Sequence, residues 1–180
     1  MLHSGTFTIE TPRLLLRRFE PHDLEAMHRN WASEPSVQIE YGEPVYKTKE
    51  EAKVLLDKYI SGYESESFYR WAIIEKASGE NIGQIAFCRV YEELRTAEIE
   101  YCIGTAFQGN GYAGEALSSV IENIFKRTDF KKLEAYHRAE NTKSGRVLEK
   151  SSMHITENVE RFRQQGLKPE GEVCYCIEKN

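Results

Sequence analysis

Disulfide, zinc-ribbon and nucleic-acid-binding signatures are weak or missing in this sequence. Among its 180 residues there are four cysteines, at positions 88, 102, 174 and 176, and none belongs to a C-x-x-C pair. All four lie in strand-like runs, so we expect buried free thiols in a reducing compartment. Acidic residues (29) outnumber Lys and Arg (24), which gives a formal net charge of −5. This balance argues against nucleic acid as the main partner.

Long apolar runs are also missing. No stretch approaches the roughly 20 apolar residues that span a bilayer. The first residues, MLHSGT, show no basic region followed by an apolar one, so no secretion signal is expected. Apolar residues make up 40% and charged residues 29%, which is typical of a globular protein. We therefore expect one cytoplasmic domain over 1–180, with no membrane contact.

Hydrophobic spacing and turn residues divide the chain into alternating elements. Residues 34–47 are predicted to be a loop, and Thr48 with Glu51 has the spacing of a capping box. Strand–helix–strand order over 97–137 predicts two parallel strands, whereas the strands before it are expected to pair as antiparallel hairpins. The predicted fold is α/β (α+β), with a mixed, mostly antiparallel sheet of about seven strands. The predicted strands are 13–19, 68–75, 81–91, 96–103, 132–137, 153–163 and 172–178, and the predicted helices are 21–33, 48–60, 114–127 and 142–150.

The segment Gln108–Gly114 (QGNGYAG) is the most informative part of the chain. It lies between a predicted strand and a predicted helix, and three of its residues are glycines. Glycine allows a sharp turn and a close approach of backbone to ligand. The free N–H groups that begin the following helix would point back at this turn, which is a common way to bind phosphate.

Two familiar phosphate motifs fit this segment poorly. A P-loop requires a Lys followed by Ser or Thr directly after the last glycine, and here Glu115 and Ala116 follow Gly114. Gly109, Gly111 and Gly114 match the G-x-G-x-x-G spacing of a dinucleotide-binding unit. That unit, however, needs an acidic residue at the end of the next strand, and no carboxylate follows there until Glu140.

The pattern that fits best is Q/R-x-x-G-x-G/A, and the chain resembles the GNAT acyl-CoA N-acetyltransferases. It is most similar to the Rim-type branch, which acetylates protein N-termini. Thr11–Arg17 (TPRLLLR) resembles the opening strand of that branch. Glu98–Tyr101 (EIEY) with Gln108–Leu117 (QGNGYAGEAL) resembles its central signature, and Asn141–Lys150 (NTKSGRVLEK) its late helix. Two departures stand out, because the branch usually has Gly where this chain has Glu100 and a Gly-containing pair after the late helix.

This resemblance implies a GNAT-like domain with helices on both faces of the sheet, and acetyl-CoA as cosubstrate with no metal. The diphosphate would bind the backbone of 109–114, and the 3′-phosphate would meet Lys143, Arg146 or Lys150. The pantetheine arm would lie between splayed strands 97–103 and 132–137. The implied cofactor-binding residues are Cys102, Ile103, Gln108, Gly109, Asn110, Gly111, Tyr112, Ala113, Gly114, Asn141 and Arg146.

The resemblance also implies catalytic residues. Strand alternation places Glu98 and Glu100 on one face, and either carboxylate is able to take the proton of the incoming amine. Ser144 is the position suggested as a hydrogen-bond donor to the CoA sulfur, and Tyr136 is a weaker candidate. Cys102 is disfavoured as a nucleophile, because no histidine stands near it in sequence. Direct attack in a ternary complex is therefore the expected route.

The acceptor of the acetyl group stays open. A protein or peptide N-terminal α-amine comes first, and a small amine such as an amino acid, polyamine or antibiotic comes second. A non-catalytic acyl-CoA-binding module is the alternative from another class. Acceptor choice is expected to depend on loop 34–47 and tail 153–178, which is also able to pair across a homodimer. Candidate wall residues are Trp31, Glu40, Tyr41, Glu43 and Tyr46.

Overall fold

A twisted sheet with one parallel pair forms the centre of the fold. The structure is a computed structural model that describes residues 1–179. Within them the strands are β1 (Ile9–Glu10), β2 (Leu14–Arg17), β3 (Arg70–Glu75), β4 (Asn81–Tyr91), β5 (Thr96–Ile103), β6 (Lys132–Arg138), β7 (His154–Ile155) and β8 (Glu172–Glu178). Their order is β1-β2-β3-β4-β5-β6-β8-β7. Only β5 and β6 are parallel within this described sheet, and the other neighbours are antiparallel.

Helices cover both faces of the sheet. They are α1 (Leu24–Met27), α2 (Pro35–Tyr41), α3 (Lys49–Gly62), α4 (Tyr112–Arg127), α5 (Thr142–Lys150) and α6 (Glu160–Gln165). Helices α4 and α5 pack on one face through a core that includes Leu117, Ile124 and Leu148. The other face is covered by α1 and α3, whose buried residues include Met27 and Leu56. The predicted mixed, mostly antiparallel α/β fold with a central βαβ unit is confirmed.

The capping box predicted for α3 is present. Thr48 Oγ1 accepts a hydrogen bond from the Glu51 N–H at 3.2 Å, and Glu51 Oε2 accepts one from the Thr48 N–H at 3.1 Å. Two of the otherwise unpaired N–H groups at the helix start are thereby satisfied. The box fixes the start of α3 at Lys49, directly after Thr48.

The prediction of a loop over 34–47 was wrong for its first half, because residues Pro35–Tyr41 form helix α2. Proline suits the first position of a helix, where its missing N–H costs nothing. Val37 is buried against the α1–α3 core, and Gly42 ends the helix in the left-handed conformation (φ 77°). Tertiary burial of one side of α2 outweighs the turn-rich composition of the segment.

The prediction of one strand over 153–163 was also wrong. Only His154–Ile155 pairs with β8, and the rest of that segment leads into α6. Val159 and Phe162, three residues apart, are buried together with Cys174, and this helical spacing decides the local structure. The described sheet has eight strands rather than about seven, because the short β1 adds to the first edge.

Candidate active site

A cleft opens where the two parallel strands diverge. β5 and β6 pair only over their first three residues, Thr96–Glu98 with Lys132–Glu134. Beyond that point β5 continues to Ile103 on β4, and β6 continues to Arg138 on β8. The gap leads into a cleft of about 1140 Å³. The expected splay of these strands is present, and it leaves the facing backbone edges free to pair with an extended chain.

The glycine turn forms one end of this cleft. Gly109 and Gly111 both have φ of +80°, a conformation that glycine adopts without steric cost. Helix α4 then begins at Tyr112, so its first N–H groups face the turn. The backbone N–H groups of 109–114 have no acceptor among residues 1–179. Free N–H groups at the positive end of a sixteen-residue helix make this a strong anion site.

Most of the residues predicted to bind the cofactor line the cleft, but Asn110 does not. Its side-chain amide instead donates to the carbonyl of Phe107 at 3.1 Å, inside the turn. Tyr112 also lines the cleft. Its hydroxyl is not free to bind a cofactor, because it donates to Glu75 Oε1 at 2.5 Å. Gln108 Nε2 donates to the carbonyl of Ile103 at 2.9 Å, so this side chain ties the turn to the end of β5.

A polar cluster lies on the α5 side of the cleft. Asn141 Oδ1 caps the helix by accepting from the Ser144 N–H at 3.1 Å, and its amide donates to Glu40 of α2 at 2.8 Å. Ser144 Oγ lies 2.9 Å from the Tyr101 hydroxyl. Burial raises the pKa of Tyr101 to about 12, against the lowering effect of the Ser144 hydrogen bond. Tyr101 therefore keeps its proton at neutral pH and remains a donor.

The rim of the cleft beside α5 is basic. Lys143, Arg146 and Lys150 all border it and are exposed. The structure thus places the three cations predicted for a phosphate on the same side as Asn141. Exposed cations of this kind attract an anion at long range and are screened by salt.

The alternating side chains of β5 divide the cleft into two sides. Ile99 and Ile103 belong to the core beneath α4, whereas Cys102 belongs to the core beneath α1–α3. Glu98 and Glu100 share the face of Cys102, and both border the cleft. The two predicted carboxylates therefore lie together, on the opposite side from the glycine turn and α5.

Glu100 is held by a partly buried polar network. Its Oε1 accepts from the Tyr41 hydroxyl at 2.6 Å and from Arg70 Nη2 at 2.8 Å. Arg70 also stacks over the Tyr59 ring at 4.2 Å and donates to Gln84. Glu100 Oε2 has no hydrogen-bond partner within residues 1–179. One carboxylate oxygen is thus fixed, and the other is free to accept a proton.

Glu98 is more fully engaged. Arg89 Nη1 donates to both of its oxygens, at 3.2 and 3.0 Å, and the thiol of Cys88 lies 3.4 Å from Oε1. Arg161 of α6, stacked over the Tyr136 ring at 4.4 Å, approaches the same oxygen at 4.0 Å. Only 3% of the Glu98 side chain is exposed, against 23% for Glu100. Glu98 therefore has little freedom to bind an incoming group.

Cys102 is a poor nucleophile. Burial raises the pKa of its thiol to about 12, so the thiol stays protonated at neutral pH. All four cysteines are free thiols, as expected. Cys88 is exposed, contrary to the expectation that all would be buried. The side chain lies on β4 just where the register with β5 shifts.

Comparison with known proteins identifies the family. A family model described as "Acetyltransferase (GNAT) domain" matches residues 13–154. The chain belongs to the GNAT acetyltransferase family. It is 28% identical over 171 residues to the uncharacterized N-acetyltransferase YoaA of Bacillus subtilis, covering 95% of this chain and 96% of that protein. Acetyl-CoA-dependent N-acetylation is thus the activity of this chain.

Two solved structures illustrate how far this GNAT fold is shared. A GNAT-family acetyltransferase from Bacillus anthracis superposes with a TM-score of 0.78 at 26% identity, covering 96% of this chain and 99% of that one. RimL, described as a ribosomal L7/L12 α-N-protein acetyltransferase in complex with coenzyme A, superposes with a TM-score of 0.77 at 18% identity, covering 96% and 98%. The second likeness concerns the fold alone.

Several site residues of this GNAT chain escape prediction from sequence. Arg70 and Tyr41 fix Glu100 from 30 and 59 residues away, and Tyr101 backs Ser144 from 43 residues away. The sequence does carry a signal for Arg70. It stands between two aromatic residues in a strand, as Tyr69-Arg70-Trp71, and this pattern indicates a buried cation. Trp31, a candidate wall residue, lies instead in the core, where its indole N–H donates to Asn81.

Residues 1–179 contain no group of three or more His, Cys, Asp or Glu side chains arranged to hold a metal. In the same part of the chain, no helix has both the length and the apolar character required to cross a bilayer.

Proposed function

We propose that this GNAT enzyme transfers the acetyl group of acetyl-CoA directly to the α-amine of a protein or peptide. One observation carries the proposal. Within residues 1–179, the N–H groups at the start of α4 have no acceptor and face a cleft that Glu100, whose Oε2 has no hydrogen-bond partner there, also borders. The arrangement joins an anion site to a proton acceptor across the space between two diverging strands.

The donor fits the cofactor side of the cleft. The N–H groups of 109–114 suit a diphosphate, and Lys143, Arg146 and Lys150 suit the 3′-phosphate. Backbone groups at the unpaired edge of Cys102–Ile103 suit the amides of an extended pantetheine arm. These residues bind and orient the thioester, which supplies the activated acetyl group.

Glu100 is the proposed proton acceptor. Glu100 borders the cleft, and its Oε2 has no hydrogen-bond partner among residues 1–179, whereas its Oε1 is fixed by Tyr41 and Arg70. Fixing one oxygen orients the other, as a general base requires. Glu98, with both oxygens bound to Arg89, is proposed to position Arg89 and Arg161 at the end of the cleft rather than to take the proton.

Ser144 is the proposed donor to the leaving sulfur. Its hydroxyl borders the cleft and lies within hydrogen-bonding distance of the Tyr101 hydroxyl. Because Tyr101 keeps its proton at neutral pH, it is able to donate to Ser144 and leave the Ser144 proton directed at the sulfur. During transfer a C–N bond forms, the C–S bond breaks, the amine proton goes to Glu100, and the Ser144 hydroxyl stabilises the thiolate.

An α-amine is the acetyl acceptor that needs the least help from the enzyme to lose its proton. Its pKa of about 7.7–8.0 leaves a useful neutral fraction at pH 7, whereas a lysine amine near 10.4 is almost fully charged. The structural likeness to RimL, an α-N-protein acetyltransferase, supports the same choice. Glu40 and Tyr41 of α2 border the cleft near Glu100. We propose that they contact the first residues of a peptide substrate.

The test is an assay of thiol release from acetyl-CoA with three acceptor sets. These are peptides with free N-termini, the same peptides with blocked N-termini and an internal lysine, and small amines. The proposal predicts turnover with the free N-terminal peptides and little with the blocked ones. Preferential turnover of free amino acids or polyamines would assign the enzyme to small amines. Saturable CoA binding without turnover of any acceptor would indicate a binding module.

A further inference from the structure

Arg13, which directly precedes β2, contacts the glycine turn through its side chain. Arg13 Nη1 donates to the carbonyl of Asn110 at 2.8 Å, and Arg13 Nε and Nη2 each contact Glu115 Oε2 at 2.7 Å. The guanidinium also stacks over the Tyr112 ring, 4.7 Å from its centroid. A single side chain, about a hundred residues away in sequence, therefore holds both the turn and the first turn of α4.

The hydrogen bond to Asn110 determines where the next N–H points. In a planar trans peptide, the C=O and the N–H of the same unit point in opposite directions. The Asn110 carbonyl is directed at Arg13, so the Gly111 N–H is directed away from Arg13. Gly111 borders the cleft and its N–H has no acceptor among the described residues. Arg13 thereby holds the Gly111 N–H in an orientation in which it is available to an anion in the cleft.

Arg13 also cancels an unfavourable charge. Glu115 lies in the first turn of α4 and borders the cleft, so its carboxylate would repel a diphosphate bound there. Although burial alone would raise the pKa of Glu115, hydrogen bonds from Thr11 and Arg13 hold it below its usual value. The carboxylate is ionised at neutral pH, and the adjoining guanidinium neutralises it.

From this geometry we infer that Arg13 is a positioning residue for acetyl-CoA, acting on the diphosphate through the Asn110–Gly111 peptide and through Glu115. The inference rests on the proposed function, because it assigns the diphosphate to the glycine turn. It adds Arg13, a residue outside the glycine turn, to the residues that determine the conformation of that turn. The consequence is specific: loss of Arg13 weakens only those donors that carry a diphosphate.

The experiment compares two acyl donors, acetyl-CoA and S-acetylpantetheine, which lacks the diphosphate and the nucleotide. The variants are Arg13→Gln and Arg13→Lys, with Arg127→Gln as the matched control. Arg127 is exposed, lies at the other end of α4 and stacks on Phe7 at 4.5 Å. It thus tests the loss of an arginine and of a cation–π contact away from the turn.

For Arg13→Gln we expect the KM for acetyl-CoA to rise roughly tenfold to a hundredfold, the scale of lost hydrogen bonds to charged groups. The kcat should stay within about twofold, because the reacting groups lie at the other end of the cleft. Arg13→Lys should show a similar loss, since one ammonium does not reproduce the two-sided guanidinium contact. With S-acetylpantetheine both variants should match the wild type, and Arg127→Gln should match it with both donors.

An unchanged KM for acetyl-CoA in Arg13→Gln, or full recovery in Arg13→Lys, would overturn the inference. An equal loss with S-acetylpantetheine would also overturn it, because it would show general damage to the fold. If the wild-type chain transfers acetyl from neither donor, the proposed function itself is refuted. That result is distinguishable from a failure of Arg13 alone, in which the wild type is active and the variant is unaffected.

Discussion

Replacing Glu100 with glutamine tests the assignment of the proton acceptor. Glu100→Gln keeps the size of the side chain and an oxygen for the Tyr41 hydroxyl and Arg70. It removes the negative charge and the capacity of the free oxygen to accept a proton. The amine would then have to lose its proton to water before or during attack.

The expected loss follows from the chemistry of the amine. A positioned general base contributes about 10²–10⁴ in rate. An α-amine with a pKa near 8 is already about one-tenth neutral at pH 7, so less help is needed. We therefore expect kcat to fall roughly tenfold to a hundredfold at pH 7. At pH 9 most of the amine is neutral, and the deficit should shrink to about threefold or less.

The same change also has a structural cost. Arg70, with 12% of its side chain exposed, loses a charged partner, and such a hydrogen bond is worth about 1.5–3 kcal/mol. For a chain of this size the melting temperature should fall by roughly 3–12 °C. Kinetics are therefore measured at 25 °C, after thermal unfolding has shown that the variant is folded there.

Glu98→Gln is the matched control on the same strand. Thiol release from acetyl-CoA is followed from pH 6 to 9 with an N-terminal peptide acceptor for both variants and the wild type. Glu98→Gln should keep kcat within about threefold, because its carboxylate is already bound by Arg89. The reasoning is refuted if Glu98→Gln loses more activity than Glu100→Gln, or if the Glu100→Gln deficit is as large at pH 9 as at pH 7.

Three further predictions follow from the other contacts. Tyr101→Phe should lower kcat about threefold or more. The double variant with Ser144→Ala should lose little more than Ser144→Ala alone, because both residues act through one hydrogen bond. Additive losses would show that the two residues act independently. Hydrogen bonds outweigh burial and hold the pKa of Glu115 below 4.5, so its contribution to stability is present above pH 4.5 and is lost as the pH falls through the folded-state value. Urea midpoints of wild type and Glu115→Gln should therefore differ at pH 6–7 and converge at lower pH, and a constant difference would contradict this. Leu117→Ala, at a fully buried site, should cost about 2–5 kcal/mol, whereas the exposed Val54→Ala should change stability by about 0.5 kcal/mol or less in urea unfolding.

Features with local signals could be predicted from the sequence. The glycine turn, the capping box at Thr48 and Glu51 and the βαβ unit each depend on neighbouring residues, and each is present. Placing Glu98 and Glu100 on one face requires only strand alternation. These features also include the main parts of the candidate site.

Long-range contacts explain what the sequence did not reveal. Helix α2 forms because Val37 is buried in a distant core, and α6 forms because Phe162 packs under β8 with Cys174. The partners of Arg13 lie 97 and 102 residues away. Nothing in the spacing near Arg13 signals that it shapes the glycine turn. The choice between Glu98 and Glu100 likewise depended on which oxygens the arginines occupy.

The N–H groups of 109–114, which have no acceptor within residues 1–179, are proposed to bind the diphosphate of acetyl-CoA. Calorimetric titration of the protein with coenzyme A and, separately, with pantetheine measures this binding. We predict saturable binding of coenzyme A with one site per chain, and binding of pantetheine at least about tenfold weaker. No saturable heat with coenzyme A, or equal affinity for the two compounds, would contradict it.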